Sequence, residues 1–332
     1  MKRSLFLGAA VLTALVCLAS QAEAAKAKKN TTARSAAVPA DGAEVPPKAA
    51  APACLGAIVV DAATGRTLYE ENADVAARPA SVLKLMDLLI LLERIDAGTL
   101  KLTDAVTITA EASRIGGSQV YLKEKEVFSI DELLYAMVVP SANDAATALA
   151  IHVAGSKDAF LELMNQRAKA LGMNATVFHS VHGLPPGPGQ EPDVTTPRDL
   201  ARLCLALLKH KDTLRYTSVH ERPFRPDAKE PFIMRTHNHL MAEFEGCDGL
   251  KTGYYKEAGF SIAATAQRQG RRVIAIVMGS QTRVVRDQKA QELLAKGFLA
   301  LAEVSPLPPV PAAPVPAVPA GAPPAPPPHG RP

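Results

Sequence analysis

The chain lacks any marked excess of charge. Its 37 Lys and Arg residues face 33 Asp and Glu, for a formal net charge of +4. Part of that excess sits in a short stretch with Lys26, Lys28 and Lys29, so the remainder is nearly balanced and nothing points to a nucleic-acid surface. It also lacks an apolar run long enough to span a membrane comfortably. Leu5 to Ala19 is apolar but short, and it lies between basic Lys2 and Arg3 and the small-x-small sequence Ala22-Glu23-Ala24. That combination reads as a secretory leader. Bulky Val16 before Cys17 argues against lipoprotein processing. Cysteine is scarce, with four residues in all. Cys54, Cys204 and Cys247 remain after the leader and allow at most one disulfide, whose formation the sequence leaves open. Cys204, inside the apolar run Leu203 to Leu208, reads as a buried free thiol. Cys/His clusters at metal-ligand spacing are missing too, so His237-Asn238-His239 reads as a polar loop and no metal site is expected.

These absences leave four segments. Residues 1–24 form the leader. Residues 25–52, rich in Ala, Pro and Lys, read as a flexible tether. Residues 53–302 carry the apolar periodicity and form one domain of roughly 250 residues, enough for an ample core. Residues 303–332 are almost entirely Pro, Ala and Val, which cannot build a core and favours an extended tail. A partner for that tail is unknown. No second β-rich domain and no C-terminal amphipathic anchor follow, which leaves membrane association open.

Within the domain the hydrophobic period changes twice. Cys54–Asp61 and Arg66–Glu70 read as a β-hairpin around Ala62-Ala63-Thr64-Gly65. A helical block follows, with helices from Ser81 to about Ile95, from Ser129 to Pro140, from Ala145 to about Ala154, from Lys157 to Leu171 and from Thr196 to about Lys209. Gly246–Lys251, Phe260–Gln267 and Arg272–Gly279 return to strand character, and Asp287–Leu301 closes with a helix. The expected fold is α/β of the α+β kind. Its two ends share an antiparallel five-stranded sheet flanked by helices, with an all-helical lobe inserted between them.

Ser81-x-x-Lys84 heads the most apolar of these helices. The i, i+3 spacing sets the two side chains side by side. A lysine inside an apolar helix is costly unless paired or neutral, and a neutral amine beside a hydroxyl is a general base beside its nucleophile. Alone, Ser81 could be a helix cap, and Lys84 could pair with Asp87. Two further motifs follow in order: Ser141-x-Asn143 between helices, and Lys251-Thr252-Gly253 on a strand. Each is weak alone, and the three together are far more specific.

With Asp61–Asp74, Ser141–Ala145, Ser180–Leu184 and Asp248–Tyr254, these motifs resemble the D-alanyl-D-alanine carboxypeptidases. These are low-molecular-mass penicillin-binding proteins, serine peptidases with the β-lactamase-like fold. The resemblance covers nearly all of Cys54–Ala302. It implies Ser81 as nucleophile, Lys84 as base and Ser141 as proton relay. It also implies Asn143, Lys251, Thr252, Gly253 and Tyr254 as substrate-binding residues, with the N–H groups of Ser81 and Tyr254 as the oxyanion hole. Burial and Lys251 would both lower the Lys84 pKa. No metal or organic cofactor is needed. The implied substrate is the peptidoglycan stem peptide, the implied inhibitors are β-lactams, and the implied location is the periplasm or cell envelope. A DD-endopeptidase cutting cross-links, or a sensor that captures penicillin or muropeptides without turnover, are the alternatives. A β-lactamase is disfavoured because Glu162, three residues before Asn165, reads as a solvated helix face. Leu83 and Asp87 depart from the family pattern, and Asp87 could perturb Lys84.

Overall fold

The computed structural model describes residues 52–304. The expected leader, the tether up to residue 51 and the tail from residue 305 lie outside the described residues. A five-stranded, wholly antiparallel sheet carries the domain, in the order β2-β1-β9-β8-β7. β1 (Gly56–Asp61) and β2 (Thr67–Glu71) come from the start of the domain. β7 (Cys247–Tyr255), β8 (Gly259–Arg268) and β9 (Arg271–Ser280) come from its end. The pairing of β1 with β9, from Gly56↔Met278 to Asp61↔Val273, joins the two ends, as the period changes predict.

Every residue of β1 is buried. Successive side chains of a strand point to opposite faces, so both faces of this sheet must be covered. Ile58, Val60, Ile274, Ile276 and Met278 face the helical block. Ala57, Val59, Val273, Ala275 and Val277 face α9 (Arg283–Val304), packing with its Ala290, Leu293, Leu294 and Leu301.

The helical block surrounds α1 (Lys84–Asp96). α2 (Ala110–Ser113), α3 (Ile130–Val138), α4 (Asn143–Ala154), α5 (Lys157–Ala170), α6 (Pro197–Leu207), α7 (Thr213–Thr217) and α8 (Leu240–Glu243) complete the helices. Ser129, Ser156 and Thr196 cap α3, α5 and α6 by accepting backbone N–H bonds, the capping chemistry expected of these residue types. Two small two-stranded antiparallel sheets were not expected as pairs: β3 (Ala105–Thr107) with β4 (Val127–Ser129), and β5 (Glu221–Phe224) with β6 (Phe232–Arg235). Three- and four-residue strands carry too few alternations to show a period.

Two boundaries are corrected. Ser81 does not cap the central helix. Ala80–Leu83 forms a 3₁₀ turn, and α1 begins only at Lys84 with no side-chain cap. α9 starts four residues earlier than expected, at Arg283, and runs to Val304. Seven apolar side chains of α1 are buried, each contributing roughly 1.5–3 kcal/mol. That burial outweighs the cost of placing Lys84 and Asp87 in the same helix. Cys54, Cys204 and Cys247 are all buried free thiols.

Candidate active site

Three elements converge on Ser81. The 3₁₀ turn presents it, the turn between α3 and α4 brings Ser141 and Asn143, and β7 passes alongside with Lys251, Thr252, Gly253 and Tyr254. The approach is tight at two glycines. A Cβ on Gly253 would lie 2.5 Å from the Pro79 carbonyl oxygen and 3.0 Å from the Ser81 nitrogen. A Cβ on Gly183, at φ +76°, would lie 2.3 Å from the Ala80 carbonyl oxygen. Glycine is therefore required at both positions for backbone to meet backbone. Ala80 and Ser141 have positive φ values of 47° and 65°, uncommon for residues with a Cβ and a sign of local strain at this site.

Lys84 is fully buried. Its Nζ lies 3.0 Å from Ser81 Oγ, 2.8 Å from Asn143 Oδ1 and 2.6 Å from the His182 carbonyl oxygen. An ammonium has three donors for these three acceptors. A neutral amine keeps two N–H donors for Asn143 and His182, and its lone pair can accept from the Ser81 hydroxyl. The cradle thus satisfies both charge states. Burial brings the Lys84 pKa down to about 7, against the opposing pull of Asp87, Asp193 and Asp144. Burial, then, is the leading cause rather than Lys251. Lys251 is itself fully buried and is held well below its ordinary value by burial, then by Lys84 and Arg286. Its Nζ donates to the Thr252 carbonyl at 3.1 Å.

Asp87 does not pair with Lys84 through a hydrogen bond. Both of its carboxyl oxygens are buried without a partner among the described residues. Burial pushes its pKa well above the ordinary carboxylate value, against the opposing pull of Lys84.

The supporting residues were largely invisible in the sequence. Asp193 Oδ1 accepts from the backbone N–H groups of His179 and Ser180, and its Oδ2 accepts from Ser180 Oγ at 2.7 Å. Ser180 Oγ in turn accepts from the Gly183 N–H. This knot fixes the loop whose His182 carbonyl reaches Lys84. The role of His182 thus lies in its backbone, while its ring nitrogen Nδ1 accepts from the Leu184 N–H. Asn143 is clamped in the same manner: its Nδ2 donates to the Gly116 carbonyl and its backbone N–H to the Ser118 carbonyl.

A cavity of about 290 Å³ opens over these groups. Ser81, Ser118, Ser141, Thr252, Gly253 and Tyr254 line it, with His237, His239, Phe260, Arg283 and Arg286. Two arginines and no carboxylate face it, which suits an anionic ligand. Ser141 Oγ, buried in this wall, has no partner among the described residues. Arg283 and Arg286 were missed because they open a helix that the sequence pattern started too late. A pair of arginines at i, i+3 beside a strand end is the signal that was available.

The sheet, the 3₁₀ turn and the three motifs define the β-lactamase-like fold of the DD-peptidases. Residues 43–282 match the D-alanyl-D-alanine carboxypeptidase family, and the chain belongs to that family. It is 36% identical over 259 residues to D-alanyl-D-alanine carboxypeptidase DacC of Escherichia coli, covering 76% of this chain and 63% of that protein. It is 32% identical over 242 residues to DacF of Bacillus subtilis, covering 73% of this chain and 61% of that protein. The chain therefore spans somewhat less than two thirds of the length of these curated relatives. Among solved structures, penicillin-binding protein D2 of Listeria monocytogenes in its ampicillin-bound form is similar, with a TM-score of 0.66 and 33% identity, covering 74% of this chain and 98% of that one.

Proposed function

We propose that the protein is a serine-type D-Ala-D-Ala carboxypeptidase that removes the terminal D-alanine from peptidoglycan stem peptides and is inhibited by β-lactams. The observation that carries this reading is the Lys84 amine, 3.0 Å from Ser81 Oγ with a pKa near 7. In the proposed reaction Lys84 takes the Ser81 proton as Ser81 Oγ attacks the penultimate carbonyl. The N–H groups of Ser81 and Tyr254 stabilise the oxyanion. The C–N bond then breaks, Ser141 relays the proton to the leaving amine, and D-alanine departs. Water attacks the Ser81 ester, releases the shortened peptide and restores the hydroxyl.

Substrate binding in this reading falls to Asn143, Lys251, Thr252, Gly253 and Tyr254. Asn143 Oδ1 is already engaged with Lys84, so its contribution to a substrate amide is the second N–H of its Nδ2. The peptide lies along the exposed edge of β7 as an added strand. Its chain-end carboxylate meets Thr252 and the cationic wall, which explains selectivity for a free terminus. The same reading puts the enzyme outside the cytoplasmic membrane, in the periplasm or cell envelope, consistent with the leader expected at residues 1–24. No helix among the described residues is long and apolar enough to cross a membrane.

Incubation with an acyl-D-Ala-D-Ala pentapeptide tests the reading. The expected result is release of free D-alanine. Cleavage of cross-linked dimers without action on pentapeptides would identify an endopeptidase. A stable penicillin adduct without any peptide cleavage would identify a sensor.

A further inference from the structure

Three carboxyls act on the Lys84 amine, and two of them have evident structural work. Asp193 pins the loop of residues 179–183 through the N–H groups of His179 and Ser180. Asp144, buried at the start of α4, accepts from the N–H groups of Val120 and Leu122 and fixes the chain that follows Ser118. Asp87 has no such work. It is 1% exposed, and neither of its oxygens has a partner among the described residues. A carboxyl buried in this way costs stability. An apolar side chain at position 87 would continue the run of Leu85, Met86, Leu88 and Leu89 without that cost. Packing alone therefore does not call for an acid here.

The neighbourhood of Lys84 does. At i, i+3 on α1 the two residues share one helix face, with Cβ atoms about 5–6 Å apart. Both are enclosed, so water screens one from the other only weakly. The contacts of Lys84 Nζ go to Ser81, Asn143 and His182. Asp87 leaves those contacts alone and acts on the amine through its field. A negative charge beside Lys84 favours the ammonium, whereas burial favours the free amine. Asp87 exerts the strongest of the opposing pulls on Lys84, ahead of Asp193 and Asp144, and Asp87 itself feels Lys84 and then Asp193. On β7, Lys251 faces the same cluster and is held down by burial, Lys84 and Arg286. The His182 ring stays neutral and adds no charge. Among the described residues, α3, α5 and α6 also pack on α1 and supply none of these pulls.

We propose that Asp87 is a positioning residue for acylation, which holds the proton on Lys84 to a higher pH than burial alone would allow and so keeps the free amine a strong enough base for the Ser81 hydroxyl. The inference rests on the carboxypeptidase reading above, in which Lys84 takes the Ser81 proton. Asp87 makes no hydrogen bond to Ser81 and acts only through Lys84. An amine that loses its proton too easily is free at low pH but accepts a serine proton weakly. Without the Asp87 charge both consequences follow: the base is free at lower pH, and it is less effective once free.

The test is the pH–rate profile of acylation by a fluorescent penicillin, recorded for wild-type protein, Asp87→Asn and Asp87→Leu, each well below its melting temperature. Both variants remove the charge. Asn keeps the shape and polarity of the side chain, and Leu needs no hydrogen-bond partner. The half-point of the rising limb is expected to move to lower pH by about one unit or more in both variants, and the plateau above it is expected to fall several-fold. An exchange that only disturbs packing lowers the rate at every pH, leaves the half-point in place and differs between the two variants. A half-point that stays in place in either variant, or moves to higher pH, overturns the inference while the carboxypeptidase reading stands. Wild-type protein that forms no penicillin adduct at any pH, or forms one without a rising limb, overturns Lys84 as the base and the inference with it.

Discussion

Asp87 lies one helical turn beyond Lys84 in the same buried helix, yet no hydrogen bond joins them. Lys84 is satisfied by Ser81, Asn143 and His182, and both Asp87 carboxyl oxygens are left buried without a hydrogen-bond partner among the described residues. Asp87 is thus a stability cost that varies with pH. In the fold its pKa is raised by burial, while in the unfolded chain it ionises above about 3.9. Between those two values unfolding releases a proton, so the folded state loses stability as pH rises. Asp87→Leu is expected to stabilise the protein by about 1–3 kcal/mol at neutral pH and to flatten this pH dependence. Thermal unfolding from pH 4 to pH 9 measures both.

Lys84 titrates in the opposite sense for function. With its pKa near 7, the amine is protonated below that value and cannot take the Ser81 proton. Acylation by a β-lactam should rise with pH through a half-point near 7. His182, which burial, Lys84 and Lys157 hold down to about 3, stays neutral throughout and contributes no second limb. Lys84→Met removes the proposed base, and the acylation rate should fall by roughly 10²- to 10⁴-fold at all pH values. A stopped-flow pH–rate profile checks the limb and its disappearance.

The fold was legible in the sequence where periods are long. The five-stranded sheet follows from two opening strands and three closing strands whose apolar residues fill both faces. The pairing of β3 with β4, and both strands of β5–β6, were not legible, because three or four residues cannot display an alternation. The site was legible where chemistry is concentrated in one tetrapeptide or triplet. Ser81 and Lys84 meet within one turn, and Asn143 joins them across 59 positions. Asp193 escaped notice because its partners are backbone N–H groups, which carry no side-chain signature. The His182 carbonyl escaped for the same reason, since any residue type offers one.

The loop held by Asp193 makes a separable prediction. Asp193→Ala removes the acceptor for two backbone N–H groups and the Ser180 hydroxyl. Bonds to a charged or polarised acceptor are worth about 1.5–3 kcal/mol each at most, so the melting temperature should drop and acylation slow together. Gly183→Ala forces a Cβ against the Ala80 carbonyl at positive φ, at a cost of about 1–3 kcal/mol. Because Ala80 precedes Ser81, the proposed nucleophile, the acylation rate should fall more than stability alone explains. Activity measured well below the melting temperature of each variant separates the two effects.

The most direct test of the central claim is intact-protein and peptide mass spectrometry after brief exposure to a fluorescent penicillin, with wild-type protein and Ser81→Ala side by side. The account predicts one acyl adduct per chain, located on Ser81, and none on the variant, which should also release no D-alanine from an acyl-D-Ala-D-Ala peptide. An adduct on another residue, or a Ser81→Ala variant with full activity, would contradict it.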